Sequence, residues 1–565
     1  MQLSLMTFMY EMPLLKSGSW SEQKSTSMEQ ILAIAAEEGF DGVDLTCQTI
    51  LAMGTARVQE LLTRYHLRLC SLICMEHLAD PAIPDEEALA PYLDAIGLSK
   101  GFGCEHVMLV PGHVDRDTDP AQIREALIRR SRILVKQAAE EHILCMIEDD
   151  PDLSVGMCAE ADVRAILEGV PGLKLVYDSA NMIVAGENPV AFYEALHEFM
   201  IHVHVKDIAV CDDPGKYRDE GKNGIFYASV PHDTGVVDFE RLFRSFGGHH
   251  YQGPLSLEFV PSDPDSPDVL RADLHRICRR FTALACRYCL GVNEVPLLSK
   301  LIPEPPEKVW PQLVRRGIAG VEICILPQDN PRVHAYEEEV SRRYRSSRSF
   351  SRAEAILPFV QSIRDGGLEV DSAHLMLCEA YPELIVENIP YLIRVSRQTG
   401  IRQFVVSCSF DTMENTSRFI PFLQQAAKAL REEGITLCYH NHHQDSTVFE
   451  NGKSAFEMVL EECPDIMLQL DVGWAWYGGM DPVAILKQYG ERIVSVHLKD
   501  LAQDARERDD AGRFTAIGHG CVPVREVLDH LPLCRLSCGK LIIDQDASAG
   551  DMYDDLAAGA VFVQA

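Results

Sequence analysis

The chain of 565 residues has no run of about 18 consecutive apolar residues, which excludes a membrane-spanning helix. Basic charge is scarce: 52 Lys and Arg stand against 85 Asp and Glu, a net charge of −33. That deficit argues against nucleic acid or an anionic membrane as partner, because both need a positive surface. It favours neutral or cationic ligands, or anions held locally by a metal. Cysteine is plentiful at 18 residues, but paired spacing is not. Cys286 and Cys289 form the single CxxC, and no second pair stands at zinc-ribbon spacing. The thiols are therefore read as buried or free, in a reducing compartment. The N-terminal stretch from Met1 to Lys16 is partly apolar, but Glu11 and Lys16 interrupt it. No basic segment precedes it and no small-residue cleavage site follows, so a cytoplasmic location is expected. No Gly-rich phosphate loop occurs, which tilts the expected ligand towards an unphosphorylated one.

What is present is a globular composition, 47% hydrophobic and 24% charged, long enough for two large domains or several small ones. Apolar runs of four to eight residues alternate with helical patterns such as Met28–Glu38 and Ile123–Glu140. That alternation is the mark of a parallel sheet covered by helices. The first half offers eight strands: Leu3–Phe8, Gly42–Leu45, Leu69–Cys74, His106–Val110, Ile143–Ile147, Leu173–Tyr177, Ile201–Val205 and Leu255–Phe259. The second half offers eight more: Val295–Leu298, Val321–Ile325, Leu368–Ala373, Phe404–Val406, Thr436–Tyr439, Met467–Leu470, Ile493–Val496 and Leu541–Ile543. Eight strands per half fit a (β/α)8 TIM barrel better than an open doubly wound sheet.

The halves also repeat each other in sequence. Gly39-Phe-Asp-Gly-Val-Asp-Leu45 answers Gly317-Ile-Ala-Gly-Val-Glu-Ile323, and Ile201-His-Val-His-Val-Lys-Asp207 answers Val494-Ser-Val-His-Leu-Lys-Asp500. Asp178 stands opposite Asp471, and each Asp lies 26 residues before its His, at 204 and 497. A repeat this long cannot be a solenoid unit. The expected architecture is α/β, two tandem TIM barrels over residues 1–292 and 293–565.

In the first barrel four polar groups close four consecutive strands: Glu148, Asp178, His204 and Glu258. Strand C-termini form the catalytic face of a TIM barrel, so these groups should meet there. Singly, each has an ordinary explanation: a solvated Glu, a helix-capping Asp, a core His. Together, three carboxylates would repel one another unless a divalent cation neutralised them. Oxygen-rich ligation with one nitrogen suits Mn²⁺, Mg²⁺ or Co²⁺ better than structural zinc.

The motifs Ile147-Glu148, Tyr177-Asp178-Ser-Ala-Asn181, His202-Val-His204-Val-Lys-Asp207 and Ser256-Leu-Glu258-Phe resemble those of the xylose-isomerase-like TIM-barrel superfamily. That group includes sugar phosphate isomerases and epimerases, ketose 3-epimerases and inosose dehydratases. The resemblance implies that Glu148, Asp178, His204 and Glu258 bind the metal and that Glu148 and Glu258 move protons. The chain departs at Asn181, where the epimerases carry a substrate-contacting His. An isomerase or epimerase working through an enediolate is the first expectation. A lyase acting on keto-sugars, as inosose dehydratase or by elimination from 3-keto-glycosides, is the second. A non-catalytic carbohydrate-binding or scaffold protein is the third, and a DNA-repair endonuclease is disfavoured by the charge.

Lys206 alternates onto the face of His204 and is a substrate-contact candidate, with a rim ion pair as the plainer alternative. His113 and Asn181 are further substrate candidates. The segment Cys211–Gly235 reads as a lid or an irregular excursion. The expected ligand is a small sugar, polyol or glycoside, and a homo-oligomer is left open. In the second half His440 replaces the first Glu and Asp544 the last, giving His440, Asp471, His497 and Asp544. These either form a second metal site with its own activity, or the barrel is a divergent copy that supports the first. Trp474, opposite Asn181, would then fill part of the old pocket or simply pack at the rim.

Overall fold

The computed structural model describes every residue except 1, 9–26, 212–218, 250, 259, 261, 263–265, 328–352, 371, 377–380, 408–409 and 538. Sixteen barrel strands are numbered here in chain order. In the first unit they are β1 (Gln2–Met6), β2 (Gly42–Thr46), β3 (Arg68–Met75), β4 (His106–Val110), β5 (Leu144–Glu148), β6 (Lys174–Asp178), β7 (Met200–Val205) and β8 (Pro254–Leu257). In the second they are β9 (Leu290–Asn293), β10 (Ile318–Ile325), β11 (Ser372–Leu375), β12 (Gln403–Ser407), β13 (Thr436–His440), β14 (Met467–Asp471), β15 (Ile493–Leu498) and β16 (Leu541–Ile543). Each set closes on itself as a parallel eight-stranded barrel, β8 returning to β1 and β16 to β9.

The strands are buried on both faces, which is why they read as largely apolar runs. Inside the first barrel Met6, Ile73, Met108, Met146 and Val176 form an apolar layer. At roughly 1.5–3 kcal/mol per buried side chain, such layers make the barrel a rigid frame for whatever closes its strands. Helices between strands carry ordinary end signals. Ser27 and Gln30 form a reciprocal cap on Met28–Glu38, which Gly39 ends in the left-handed conformation at φ 97°.

One expected strand is corrected. Val295–Leu298 lies in the helix Glu294–Leu301, and the first strand of the second barrel is Leu290–Asn293 just upstream. Asn293 ends that strand and caps the helix, accepting from the Val295 amide at 2.9 Å. An apolar run of four cannot by itself separate strand from buried helix. The expected boundary at 292/293 falls inside this strand; by contacts the chain divides between Cys278 and Arg279. The third strand of that barrel is Ser372–Leu375, shifted from Leu368–Ala373, with Asp371 outside the described residues. Phe259, at the expected end of β8, also lies outside them.

Within Cys211–Gly235, residues 212–218 lie outside the described residues. Of the rest, Asp219–Glu220 and Phe226–Val230 form a small antiparallel sheet with Asp207–Val210. It packs Ile208 and Tyr227 against Cys158, Ala180 and Val184. No described helix is long and apolar enough to cross a membrane.

Candidate metal centre

The C-terminal rim of the first barrel brings the expected quartet together. One donor atom from each of Glu148, Asp178, His204 and Glu258 can be chosen so that all lie within 4.8 Å of one another. Register explains part of this: Asp178 on β6 is level with His204 on β7, and His204 with Ser256 on β8. His204 Nδ1 lies 2.5 Å from Glu148 Oε1 and 3.8 Å from Glu258 Oε2.

Asp178 has two uses. Its Oδ1 accepts from the Ala180 and Asn181 amides at 2.7 and 3.0 Å, capping the short helix Asn181–Val184. Its Oδ2 is buried without a hydrogen-bond donor and faces the cluster. The capping and ligand explanations of this residue therefore coexist, one for each oxygen. A buried carboxylate oxygen with no donor, beside two further carboxylates and an imidazole, is the donor set that a hard divalent cation fits.

Lys206 is the one ammonium ion-paired to this set among the described residues. Its Nζ is 3.3 Å from Glu258 Oε1 and 3.7 Å from Asp178 Oδ2, and it donates to Asn181 Oδ1 at 3.1 Å. The electrostatics split the acids. Burial, with Glu258 and Glu148 against the opposing pull of Lys206, pushes Asp178 up to about 7. Glu258 moves the other way: burial opposes ionisation, but Lys206 and His204 outweigh it and hold the carboxyl below its usual range. Burial likewise opposes charge on His204, and Glu148 and Asp44 overcome it and raise the imidazole well above its ordinary value. A set of titratable groups driven apart in this way is a functional-site signature.

Asn181 is buried, donating from Nδ2 to the Asp149 carbonyl at 2.6 Å while holding Lys206. His113 is not brought into the cluster. Its side chain is 75% exposed and its Nδ1 lies 3.3 Å from Asp152 Oδ2.

The second barrel forms a related cluster from His440, Asp471, His497 and Asp544, again within 4.8 Å. Its charge balance differs. His440 Nδ1 lies 2.9 Å from Gln469 Oε1, and burial, then His497, keeps this imidazole well below its ordinary value. Lys499 is fully buried and lies 3.2 Å from Asp471, 3.1 Å from Asp544 and 2.9 Å from Asp546. Its ammonium also sits 4.7 Å from the Trp474 ring, which packs beside His443 and Phe514. Two carboxylates in place of three, already shared with an ammonium, leave less charge for a cation to offset.

Sequence reasoning missed Asp44, His202 and Asp149 in the first barrel and Glu322, Lys499 and Asp546 in the second. Asp44 Oδ2 is 2.8 Å from His202 Nε2, and Glu322 Oε1 is 2.8 Å from His497 Nε2. A signal was present, because the repeat alignment sets Asp44 opposite Glu322 in otherwise apolar strands.

The family model described as Xylose isomerase-like TIM barrel matches residues 32–280 and 312–532. An inosose dehydratase of Geobacillus kaustophilus is 38% identical over 112 residues, 18% of this chain and 36% of that protein. The rhizopine catabolism protein MocC of Rhizobium meliloti is 26% identical over 271 residues, 43% of this chain and 77% of that protein. The match thus spans about a third of the length of the dehydratase. Among solved structures, the probable 3-DHS dehydratase AsbF of Bacillus anthracis is 19% identical, with 49% of this chain and 98% of that chain covered and a TM-score of 0.39.

Proposed function

The chain belongs to the xylose isomerase-like TIM barrel family, and from that premise we propose that its first barrel is a divalent-metal-dependent isomerase or epimerase of a small sugar or polyol ketone. The observation that carries the reading is the convergence of three carboxylates and one imidazole on one rim, with an Asp178 oxygen buried and without a hydrogen-bond donor. Glu148, Asp178, His204 and Glu258 would hold Mn²⁺, Mg²⁺ or Co²⁺. A cation bound there polarises a carbonyl oxygen and offsets, by several kcal/mol, the negative charge that develops on it.

The chain's own groups supply the rest. Glu258 is kept ionised by Lys206 and His204, so it can accept a proton from the carbon beside the carbonyl. Glu148, with its side chain 14% exposed, would in its acid form give its own proton to the opposite face of that carbon for epimerisation, Glu258 keeping the one it took. For isomerisation Glu258 would return its proton to the neighbouring carbon as a proton passes between the two enediolate oxygens. Lys206 points its ammonium at the same rim and can donate to a substrate oxygen, while Asn181 keeps it in place. The net charge of −33 supports a neutral ligand over a polyanion.

Dehydration is the second reading, favoured by the inosose dehydratases among the relatives. The first step is shared; the β-hydroxyl would then leave as water, taking a proton from the acid form of Glu148, in place of reprotonation at carbon. Incubating the Mn²⁺-loaded protein with a panel of ketoses and inososes in heavy water separates these outcomes. Deuterium entering the carbon beside the carbonyl without loss of water supports isomerase or epimerase; loss of water supports the lyase. Neither exchange nor turnover across the panel would refute both.

A further inference from the structure

A carboxylate that the proposed chemistry does not use lies directly behind His204. Asp44 comes from β2, and its side chain is fully buried. Its Oδ1 accepts from Ser4 Oγ at 3.2 Å, and its Oδ2 lies 2.8 Å from His202 Nε2 and 3.5 Å from His204 Nε2. Burying a carboxylate costs several kcal/mol unless it is paired well. The barrel interior could have used an apolar side chain here, as its neighbouring layer does.

The orientation of His204 suggests what the carboxylate does. Nδ1 faces the quartet; Nε2 faces away from it, buried and without a hydrogen-bond partner, and the carboxylate of Asp44 lies 3.5 Å from it. A neutral imidazole has one N–H and one lone pair, and a carboxylate on one nitrogen decides which nitrogen carries the lone pair. An Nε2–H drawn to Asp44 would leave the lone pair on Nδ1, where a cation would be.

The second barrel repeats the device with different parts. Glu322, opposite Asp44 in the repeat, lies 2.8 Å from His497 Nε2, while His497 Nδ1 faces Asp544 at 3.1 Å. Here Asn293, Ser372 and Gln469 hold the carboxylate, and Ser495 stands where the first barrel has His202. The carboxylate's other holders have changed between the copies. Its place beside Nε2 of the rim histidine has not, although Glu322 makes a hydrogen bond there at 2.8 Å where Asp44 stands at 3.5 Å.

We infer that Asp44 is a positioning residue that fixes the Nε2–H tautomer and ring orientation of His204, so that Nδ1 is presented to a divalent cation, with His202 bound to the same Oδ2 and Ser4 to Oδ1. This rests on the metal reading of the first barrel.

The test uses the full chain with Mn²⁺ as titrant, followed by calorimetry. Asp44→Asn is expected to weaken Mn²⁺ binding by about 10- to 100-fold with the thermal midpoint measured in parallel. Asp44→Glu, which installs the residue of the second barrel, should restore binding to within a few-fold. A readout free of any folding defect is nitrogen NMR of ¹⁵N-histidine-labelled, Mg²⁺-loaded wild type, with His204 assigned by its loss in His204→Gln. Protonated Nε2 and unprotonated Nδ1 are expected. Asp44→Asn that binds Mn²⁺ as wild type does, or Mg²⁺-loaded His204 protonated at Nδ1, would overturn the inference and leave the metal reading standing. Wild type that takes up no Mn²⁺ would overturn both.

Discussion

Asp178→Asn should stabilise the metal-stripped protein and abolish the benefit of adding metal. The amide keeps Oδ1, so the caps on Ala180 and Asn181 survive. What it removes is a negative charge that burial, Glu258 and Glu148 disfavour, holding the carboxyl at about 7 against an ordinary 3.8. A raised carboxyl pKa contributes stability that is fully present below 3.8 and lost as pH rises through about 7. At about 1.4 kcal/mol per pH unit, that loss is on the order of 4 kcal/mol by pH 8, which already includes the opposing attraction of Lys206. Urea unfolding of chelator-treated protein at pH 8 should therefore show Asp178→Asn more stable than wild type by about 2–4 kcal/mol in the transition of the first barrel. The gap should shrink as pH falls towards 5. Saturating Mn²⁺ should reverse the order, because only wild type gains binding energy. A metal-free Asp178→Asn protein less stable than wild type at pH 8 would refute the reasoning, showing that Lys206 alone satisfies the carboxylate.

Three further outcomes follow from the same geometry. Glu258→Gln should lower substrate deuterium exchange by about 10²-fold or more while the fold is retained, and exchange at the wild-type rate would remove Glu258 as the base. Gly112→Ala should destabilise by about 3 kcal/mol or more: Gly112 has φ +78°, and a Cβ there would stand 1.6 Å from the Glu76 carbonyl oxygen. A thermal midpoint within a degree or two of wild type would contradict that placement. His442 is held at about 3 by burial first and then by Lys499, against an ordinary 6.5. The unfolded chain takes the proton that the folded one refuses, so stability is full above about 6.5 and falls as pH drops towards about 3. His442→Gln should flatten that part of a plot of urea midpoint against pH, and an unchanged slope would count against it.

Much of this was legible in the chain because parallel strands buried on both faces write themselves as apolar runs, and because a rim residue is the polar group that ends such a run. Glu148 and Asp178 each satisfy that rule, and His204 stands one residue before the end of β7, in a strand that also holds His202. Val295–Leu298 broke it, since an apolar segment behind Asn293 is also how a capped helix begins, and the true strand Leu290–Asn293 is short and follows a helix without a turn signal of its own. The groups behind the rim were harder to see. Asp44 and Glu322 sit inside otherwise apolar strands, where a single acid looks like an exposed residue until the strand on the far side of the barrel is known to bring a histidine to it. Lys499 was passed over because its three Asp partners come from two separate strand ends, and only closure of the barrel gathers them. His113 was drawn in by its position after a strand, but a rim loop can face solvent as readily as the centre, and this one does.

The central claim is that Asp178 and its three neighbours hold a divalent cation in the first barrel. The most direct measurement is the number of Mn²⁺ ions bound per chain at saturation, wild type beside Asp178→Asn, by elemental analysis after removal of free metal. Wild type is predicted to carry one ion per chain more than the variant, whatever the second barrel contributes to both. Equal metal content in the two proteins, at zero or at any other value, would contradict the claim.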